Sequence, residues 1–179
     1  MPSLVGSEMC IRDRLPAIHD VTTDTQAPPV FGEVILAERA ATKGVNTLDY
    51  LGKMAPVTKK NGAKSESLVA ALQTKAYPQI RPVIINENPE AAFAKALATA
   101  KSMGWTIKEE NQSEGRIDAT KTSFWYGFKD DIAIRLNASA GGGTVVNLRS
   151  VSRVGISDLG KNAERIEACL LYTSPSPRD

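Results

Sequence analysis

The spacing of apolar residues divides the chain into two parts. Residues 15–80 are rich in Thr, Pro, Lys, Gly and Asn, and their apolar positions keep no regular period. Pro28 and Pro29 favour extended backbone within this part, whereas Ser67 could cap a short helix over "LVAALQTKA". Residues 81–168 show sustained helical and strand periods. We therefore predict a largely extended segment over 15–80 that wraps over an α+β core formed by 81–168, both within a single domain.

A helix is predicted directly after the short apolar strand "PVIIN", residues 82–86. Asn88, Pro89 and Glu90 supply a capping side chain, a proline at the first helical position and an acid in the first turn. Gly104 stands where a left-handed residue commonly ends a helix. Between these signals, apolar residues recur on one helical face: Phe93, Ala96, Leu97, Ala100 and Met103.

Alternating apolar and polar residues predict a run of strands after this helix. The alternation begins at Trp105 and Ile107, continues through "RIDATKT" and "DDIAIRL", and returns in "VVNLRSVSRV". The stretches "NQSEG" and "NASAGGGT" between them are rich in turn-forming residues. Connections this short favour antiparallel hairpins between neighbouring strands.

A last helix is predicted after Gly155, with Ser157 or Asp158 as its cap. Its expected apolar face consists of Leu159, Ala163 and Ile166. The element order is then β-α-β-β-β-β-α, with mostly sequential hairpins. This order predicts the α+β class: an antiparallel sheet of about five strands with two helices on one face, in two layers.

The two ends of the chain correspond to one DNA sequence read in opposite directions. When the tail 169–179 is back-translated with suitable codons, the reverse complement encodes Leu4 to Asp13. Codon freedom is too small for a match of this length to arise by chance. That DNA resembles the adaptor attached when sequencing libraries are prepared, so we interpret 1–14 and 169–179 as adaptor-derived and exclude them from fold reasoning. We expect the natural protein to continue past both junctions, where a membrane anchor could have been lost.

Composition excludes several classes of function. The formal net charge is +2, which is not the strongly basic balance typical of nucleic-acid binding. Both cysteines, Cys10 and Cys169, lie in the adaptor-derived ends. Disulfides, thiol catalysis and cysteine-ligated metals are therefore excluded for 15–168.

The single histidine, His19, lies beside Asp20 in the segment predicted to be extended. We favour a capping or packing role over that of a general base, which would need a nucleophile and an orienting group nearby. Acidic residues do not follow the spacing of calcium loops, and one histidine without cysteine makes a transition-metal site improbable. The run "AGGG" at 140–143 leads into a strand rather than a helix, which indicates a turn and not a phosphate loop. We predict no metal and no cofactor.

Four stretches of the sequence resemble the bacterial "domain of unknown function 1499" family. They are "IHDVTTDTQAPPVF" at 18–31, "AYPQIRPV" at 76–83, "MGWTI…GRIDAT…FWYGFKDDIAIR" at 103–135 and "LRSVSRVGISDLGKNAERI" at 148–166. The resemblance implies an envelope location, because some members look membrane-anchored through helices preceding the "IHDVTTD"-like stretch. The patterned part is also loosely similar to the helix-grip domains of lipoproteins in the outer-membrane barrel-assembly machine, which bears on the fold alone.

Charged residues concentrate on the last two predicted strands and the last helix. If these strands pair through the Gly-rich hairpin, Arg149 and Arg153 share one face, whereas Ser150 and Ser152 point to the other. One interpretation is a polar pocket in which arginines clamp an anionic group and an acid orients it. The alternative, which we favour, is an ion-pair network that ties the sheet to the helix. The candidate binding residues are Trp125, Asp130, Asp131, Arg135, Arg149, Arg153, Asp158 and Asn162.

Aromatic residues concentrate in "SFWYGF", residues 123–128. We favour a core role for the face formed by Phe124, Tyr126 and Phe128, with Trp125 covering an edge. The alternative is a ligand pocket or an adhesive contact with a protein or membrane.

Two hypotheses for function follow. The first is a non-catalytic module of the cell envelope that binds a partner protein or an amphiphilic small molecule, and the shortage of catalytic residue types favours it. The second is a hydrolase or isomerase that uses Asp131, Arg149, Arg153 and Asp158. An enzyme would need these residues in a concave pocket.

Overall fold

The computed structural model describes residues 15–58, 63–123 and 127–173. Within them the chain forms eight β-strands and four α-helices. The strands are β1 (Asp20–Thr22), β2 (Met54–Thr58), β3 (Lys64–Leu68), β4 (Val83–Ile85), β5 (Thr106–Asn111), β6 (Arg116–Thr122), β7 (Lys129–Ala138) and β8 (Thr144–Ser152). The helices are α1 (Glu33–Ala40), α2 (Val69–Ala76), α3 (Pro89–Ser102) and α4 (Lys161–Thr173).

The main sheet is antiparallel and has the order β1-β8-β7-β6-β5. β8 also pairs with β4, so β1 and β4 lie in line along the same edge of β8. Asp131 on β7 stands opposite Val151 on β8, which confirms the predicted pairing through the Gly-rich hairpin. The sheet has six strands rather than about five, because the short β1 from the first part of the chain joins it.

The predicted helix signals of the second part are confirmed. The side chain of Asn88 accepts a hydrogen bond from the N–H of Ala91 at 2.9 Å and caps α3. Gly104 follows α3 with a φ of 68°, where a side chain would be strained. Helices α3 and α4 pack on one face of the sheet, as predicted, and bury the main core. This core includes Phe93, Ala96, Ala100, Ile117, Ala119, Ile132, Ile134, Leu148, Ala163 and Ile166.

The segment around α1 covers the opposite face, which we call the outer face, whereas other residues of the first part join the main core: Ile18, Val21, Tyr50, Ala55, Val69, Tyr77 and Ile80. Ile35 of α1 and the preceding Phe31 pack on Ala133 and Val151 in a second, smaller apolar cluster. The first part was predicted to be largely extended with a short helix over "LVAALQTKA". The structure confirms that helix as α2 and adds α1 and the hairpin of β2 and β3. The eight-residue α1 is too short to show a clear period, and it depends on the burial of Ile35 more than on propensity.

Two predictions about apolar residues were wrong. Leu159 was expected in the core face of the last helix, but it precedes α4, has a φ of 54° and is 47% exposed. Phe128 was expected in the core and is 54% exposed. The other aromatic residues of that stretch, at 124–126, lie outside the described residues.

No helix within the described ranges is long and apolar enough to cross a membrane.

Candidate functional site

Asp131 on β7 is the centre of a buried ion-pair network on the outer face. Its carboxylate accepts hydrogen bonds from Arg153 at 2.8 Å and from Arg39 of α1 at 2.6 Å. Arg153 also contacts Glu38 of α1 at 2.8 Å. The hydrogen bonds to Asp131, and then those to Glu38, raise the pKa of the Arg153 guanidinium above its ordinary value. The network therefore fastens α1 to the sheet.

Arg149 on β8 makes a second buried ion pair, with Asp20 on the neighbouring β1. Its Nε and Nη2 donate to the two carboxylate oxygens at 3.0 and 2.7 Å. The same guanidinium donates to the carbonyl oxygens of Pro29 and Leu48, and it lies 5.5 Å from the centre of the Phe31 ring. Arg149 thus joins the sheet to two points of the covering segment.

A third polar cluster lies on the other face, beneath α4. The amide oxygen of Asn162 accepts a hydrogen bond from Ser150 at 2.6 Å, and Arg165 pairs with Asp130 at 2.6 Å. Asp158 caps α4 by accepting the N–H of Asn162, as predicted. Burial raises the pKa of Asp158, although its backbone hydrogen bonds act against the shift.

The eight candidate residues do not converge on a single site, because the sheet separates them. Outer-face residues are Asp131, Arg135, Arg149 and Arg153, whereas Asp130, Asp158 and Asn162 belong to the cluster beneath α4. Trp125 lies outside the described residues. Arg135 pairs with the partly exposed Asp24 at 3.2 Å, away from the other arginines' partners. The charged candidates on both faces are occupied by partners within the protein: Asp158 by backbone N–H groups and the others by ion pairs.

A concave pocket lies beside β1, where the covering segment meets the edge of the sheet. Its volume is about 150 Å³. Two polar side chains meet in it: Nζ of Lys53 donates a hydrogen bond to Nε2 of His19 at 3.0 Å. Asp20 and Asn46 also line it, and the remaining walls are apolar: Ala17, Ile18, Met54, Ala55, Pro56, Val69 and Ile156.

The environment of this pair favours a neutral histidine beside a charged lysine. Burial, followed by the charge of Lys53, lowers the pKa of His19. Nδ1 of His19 faces the carbonyl oxygen of Ile156 at 3.4 Å, so the proton is assigned to Nδ1 and Nε2 is free to accept. Burial also lowers the pKa of Lys53, while Asp20 and Asp49 oppose that shift. The pocket therefore holds an ammonium group that has been partly removed from water.

The sequence analysis singled out His19 but assigned no role to Lys53. The two residues are 34 positions apart, on either side of a segment without periodicity, so no spacing signal connects them. No local signal pointed to Lys53 either, because the adjoining strand "MAPVT" does not alternate apolar and polar residues.

The family model described as "Protein of unknown function (DUF1499)" matches residues 20–171 of the chain. This span includes the three polar clusters and most of the pocket. No curated protein matches the chain.

Proposed function

This chain belongs to the family described as proteins of unknown function (DUF1499), and from that premise we propose that it is a non-catalytic binding module of the bacterial cell envelope. Its ligand is an amphiphilic small molecule that enters the pocket beside His19 and Lys53. The observation that carries the proposal is a partly buried ammonium group set among apolar walls. Pockets that bind small molecules combine apolar walls with a few polar groups in this way.

The rim of the pocket supports an amphiphilic rather than a fully polar ligand. Met54 is 48% and Ile156 73% exposed, and both line the pocket. Leu68, which pairs with Met54 across the β2–β3 hairpin, is also exposed. An apolar chain that leaves the pocket would therefore meet further apolar surface instead of water.

The charged clusters favour a structural role over catalysis. Asp131, Arg149 and Arg153 are buried. Arg153 donates hydrogen bonds to Asp131 and Arg149 donates to Asp20, so a substrate would have to displace existing ion pairs. Asp158, the fourth residue of the enzyme hypothesis, caps α4 beyond the sheet. The pocket thus supports binding, and we do not propose a hydrolase or isomerase.

Ligand entry can be tested by titrating the isotope-labelled protein with hexanoate and hexan-1-ol, observed by amide NMR. We expect saturable shifts at Ile18, Ala55 and Val69. Ala17→Phe should abolish these shifts, because the half-buried Ala17 lines the pocket and a ring would fill it. Ala94→Phe, on the exposed face of α3, is the matched control and should leave them unchanged. Shifts that persist in Ala17→Phe, or no saturable shift with either compound, would refute the proposal.

The envelope location rests on the family resemblance and needs its own test. The intact gene should be recovered by sequencing outward from the codons for Leu15 and Ala168, tagged, and expressed in its own bacterium. We expect the product in the membrane or periplasmic fraction. Recovery in the cytoplasmic fraction would contradict the location and leave the binding proposal to be judged by the titration.

A further inference from the structure

We propose that the polar end of the ligand is a carboxylate, which Lys53 holds by direct charge-assisted hydrogen bonding. This inference rests on the proposed function and names the ligand class of the same pocket: a monocarboxylate with a short aliphatic chain.

Lys53 has hydrogen-bonding capacity left for a ligand. An ammonium group has three hydrogens to donate, and within the described residues two are directed at His19 Nε2 and, at 3.4 Å, Thr47 Oγ1. Both acceptors are uncharged. No carboxylate among the described residues lies within ion-pair distance of this half-buried ammonium group, whereas the buried Arg39, Arg149 and Arg153 are each paired with an aspartate. A third acceptor that carries a negative charge would complete the set.

Asp20 and Lys53 are the charged residues that line the pocket, and within the described residues Lys53 has no ion-pair partner. Asp20 lines the pocket, but its carboxylate is held at both oxygens by Arg149 and is therefore neutralised. Asp49 acts on Lys53 only through space and is exposed on the surface. Arg149 and Arg39 are in turn occupied by Asp20 and Asp131. The charge of Lys53 is therefore the one that a ligand would meet, and it would attract an anion and repel a cation.

The size of the pocket limits the chain that accompanies the carboxylate. A cavity of about 150 Å³ holds a group as large as benzene, which corresponds to a carboxyl group with a few methylene groups. Ala17, Ala55 and Val69 offer only apolar contacts to those methylenes. A longer chain would have to extend out of the pocket across Met54 and Ile156. Each additional carbon would stay partly exposed there and contribute less binding free energy than a buried carbon.

The test compares hexanoate, hexan-1-ol and hexylammonium, which share a chain and differ in head-group charge, by calorimetric titration. We expect hexanoate to bind at least about tenfold more tightly than hexan-1-ol, because a charge-assisted hydrogen bond is stronger than a neutral one. Lys53→Met should remove this preference and leave both compounds bound equally weakly. Lys53→Arg should retain it, and Lys43→Met, at an exposed lysine, is the matched control and should leave it unchanged.

Chain length and pH provide two further arms. Dodecanoate should bind only slightly more tightly than hexanoate if the pocket itself is the site. A much higher affinity for dodecanoate would assign the ligand to long-chain lipids instead. Hexanoate affinity should fall as the pH rises through the lowered pKa of Lys53. Equal binding of hexanoate and hexan-1-ol to the unaltered protein, or a preference for hexylammonium, would overturn the carboxylate while leaving the binding proposal in place. Absence of binding by all three compounds would overturn both.

Discussion

Asp118 on β6 is a buried acid whose environment opposes its charge. Burial is the main cause that raises its pKa to about 6, and the neighbouring Glu109 and Asp131 add to the shift. The N–H of Gly32, which donates to Oδ2 at 3.0 Å, and Arg116 act in the opposite direction. Oδ1 has no partner within the described residues. Gly32 fits here because any Cβ would overlap the carboxylates of Glu109 and Asp118.

The raised pKa makes stability depend on pH in a definite direction. The pKa of the Asp118 carboxyl is about 6 in the folded state, against an ordinary value of 3.8. Between pH 3.8 and 6 the folded protein therefore holds a proton on Asp118 that the unfolded chain has lost. The stability associated with the protonated Asp118 carboxyl is therefore fully present below about pH 4 and is lost as the pH rises through 6. Asp118→Asn should raise the free energy of unfolding at pH 8 by up to about 3 kcal/mol, which thermal unfolding would show as a higher melting temperature. This difference from the unaltered protein should vanish at pH 4.

Glu110→Gln is the control for this pH dependence, since Glu110 is exposed on the neighbouring β5. Its melting temperature should follow that of the unaltered protein at every pH. If Asp118→Asn were destabilising by the same amount at pH 4 and pH 8, the carboxylate would have to be a favourable charged partner of Arg116, and the argument from burial would be wrong.

At the scale of elements, β8 holds the molecule together through the side chains on its outer face. Arg149 on β8 pairs with Asp20 on β1. Arg153, directly after the last residue of β8, pairs with Asp131 on β7 and Glu38 on α1. The far edge of β1 is closed by Gln73 of α2, whose amide bonds both the N–H and the carbonyl of Thr22. A three-residue strand is thus secured on both sides, although its length gives it little stability of its own.

Removal of one partner of a buried pair should have a large effect on stability. Arg149→Ala would leave the carboxylate of Asp20 buried without its cation, and we expect a loss of about 3–5 kcal/mol in urea denaturation. Arg135→Ala, whose pair with Asp24 is partly exposed, is the control and should cost less than about 1 kcal/mol. Adding Asp20→Asn to Arg149→Ala should recover part of the loss.

Unchanged stability of Arg149→Ala would support the alternative interpretation, in which the arginines of this cluster bind an anionic group. If Arg149→Ala kept its melting temperature but lost ligand binding, the arginine would serve a ligand and the ion pair would not be structural.

At the scale of the whole molecule, the end of α4 belongs to the packed structure. Cys169, Leu170 and Thr173 are buried, and Leu170 continues the core face begun by Ala163 and Ile166. The sequence analysis assigned these last residues to adaptor DNA, and that assignment stays a prediction which the sequence of the intact gene will test. Burial raises the pKa of the Cys169 thiol to about 12, so this thiol is poorly suited to react in the folded state.

Two adjacent leucines test whether the final turn contributes to global stability. Leu170→Ala should lower the unfolding free energy by about 2–5 kcal/mol, because the cavity is left in the core. Leu171→Ala should change it by less than about 0.5 kcal/mol, since that side chain is 78% exposed. Equal effects of the two substitutions in thermal unfolding would show that the last turn is frayed and outside the cooperative unit.

The sequence by itself determined the elements of the second part and their order. The signals that mark α3 are local in the sequence: Asn88, Gly104 and the period of apolar residues between them. Each depends on residues within about one helical turn, so α3 can be predicted without knowing any distant contact. Alternation in "DDIAIRL" and "VVNLRSVSRV" shows which residues share a face. In the second of these stretches it placed Arg149 with Arg153 correctly. Short hairpins then required neighbouring strands to be antiparallel.

Only the tertiary structure decided what covers each face and which polar groups meet. The alternation in β7 and β8 could not show that α1 supplies Arg39 and Glu38 to the outer face, or that the sheet divides Asp131 from Asp158. The meeting of His19 with Lys53 likewise depends on how an aperiodic segment folds over β1. A period of two or 3.6 residues records which side chains lie together on one element, whereas contacts between elements depend on long-range packing that leaves no period in the chain.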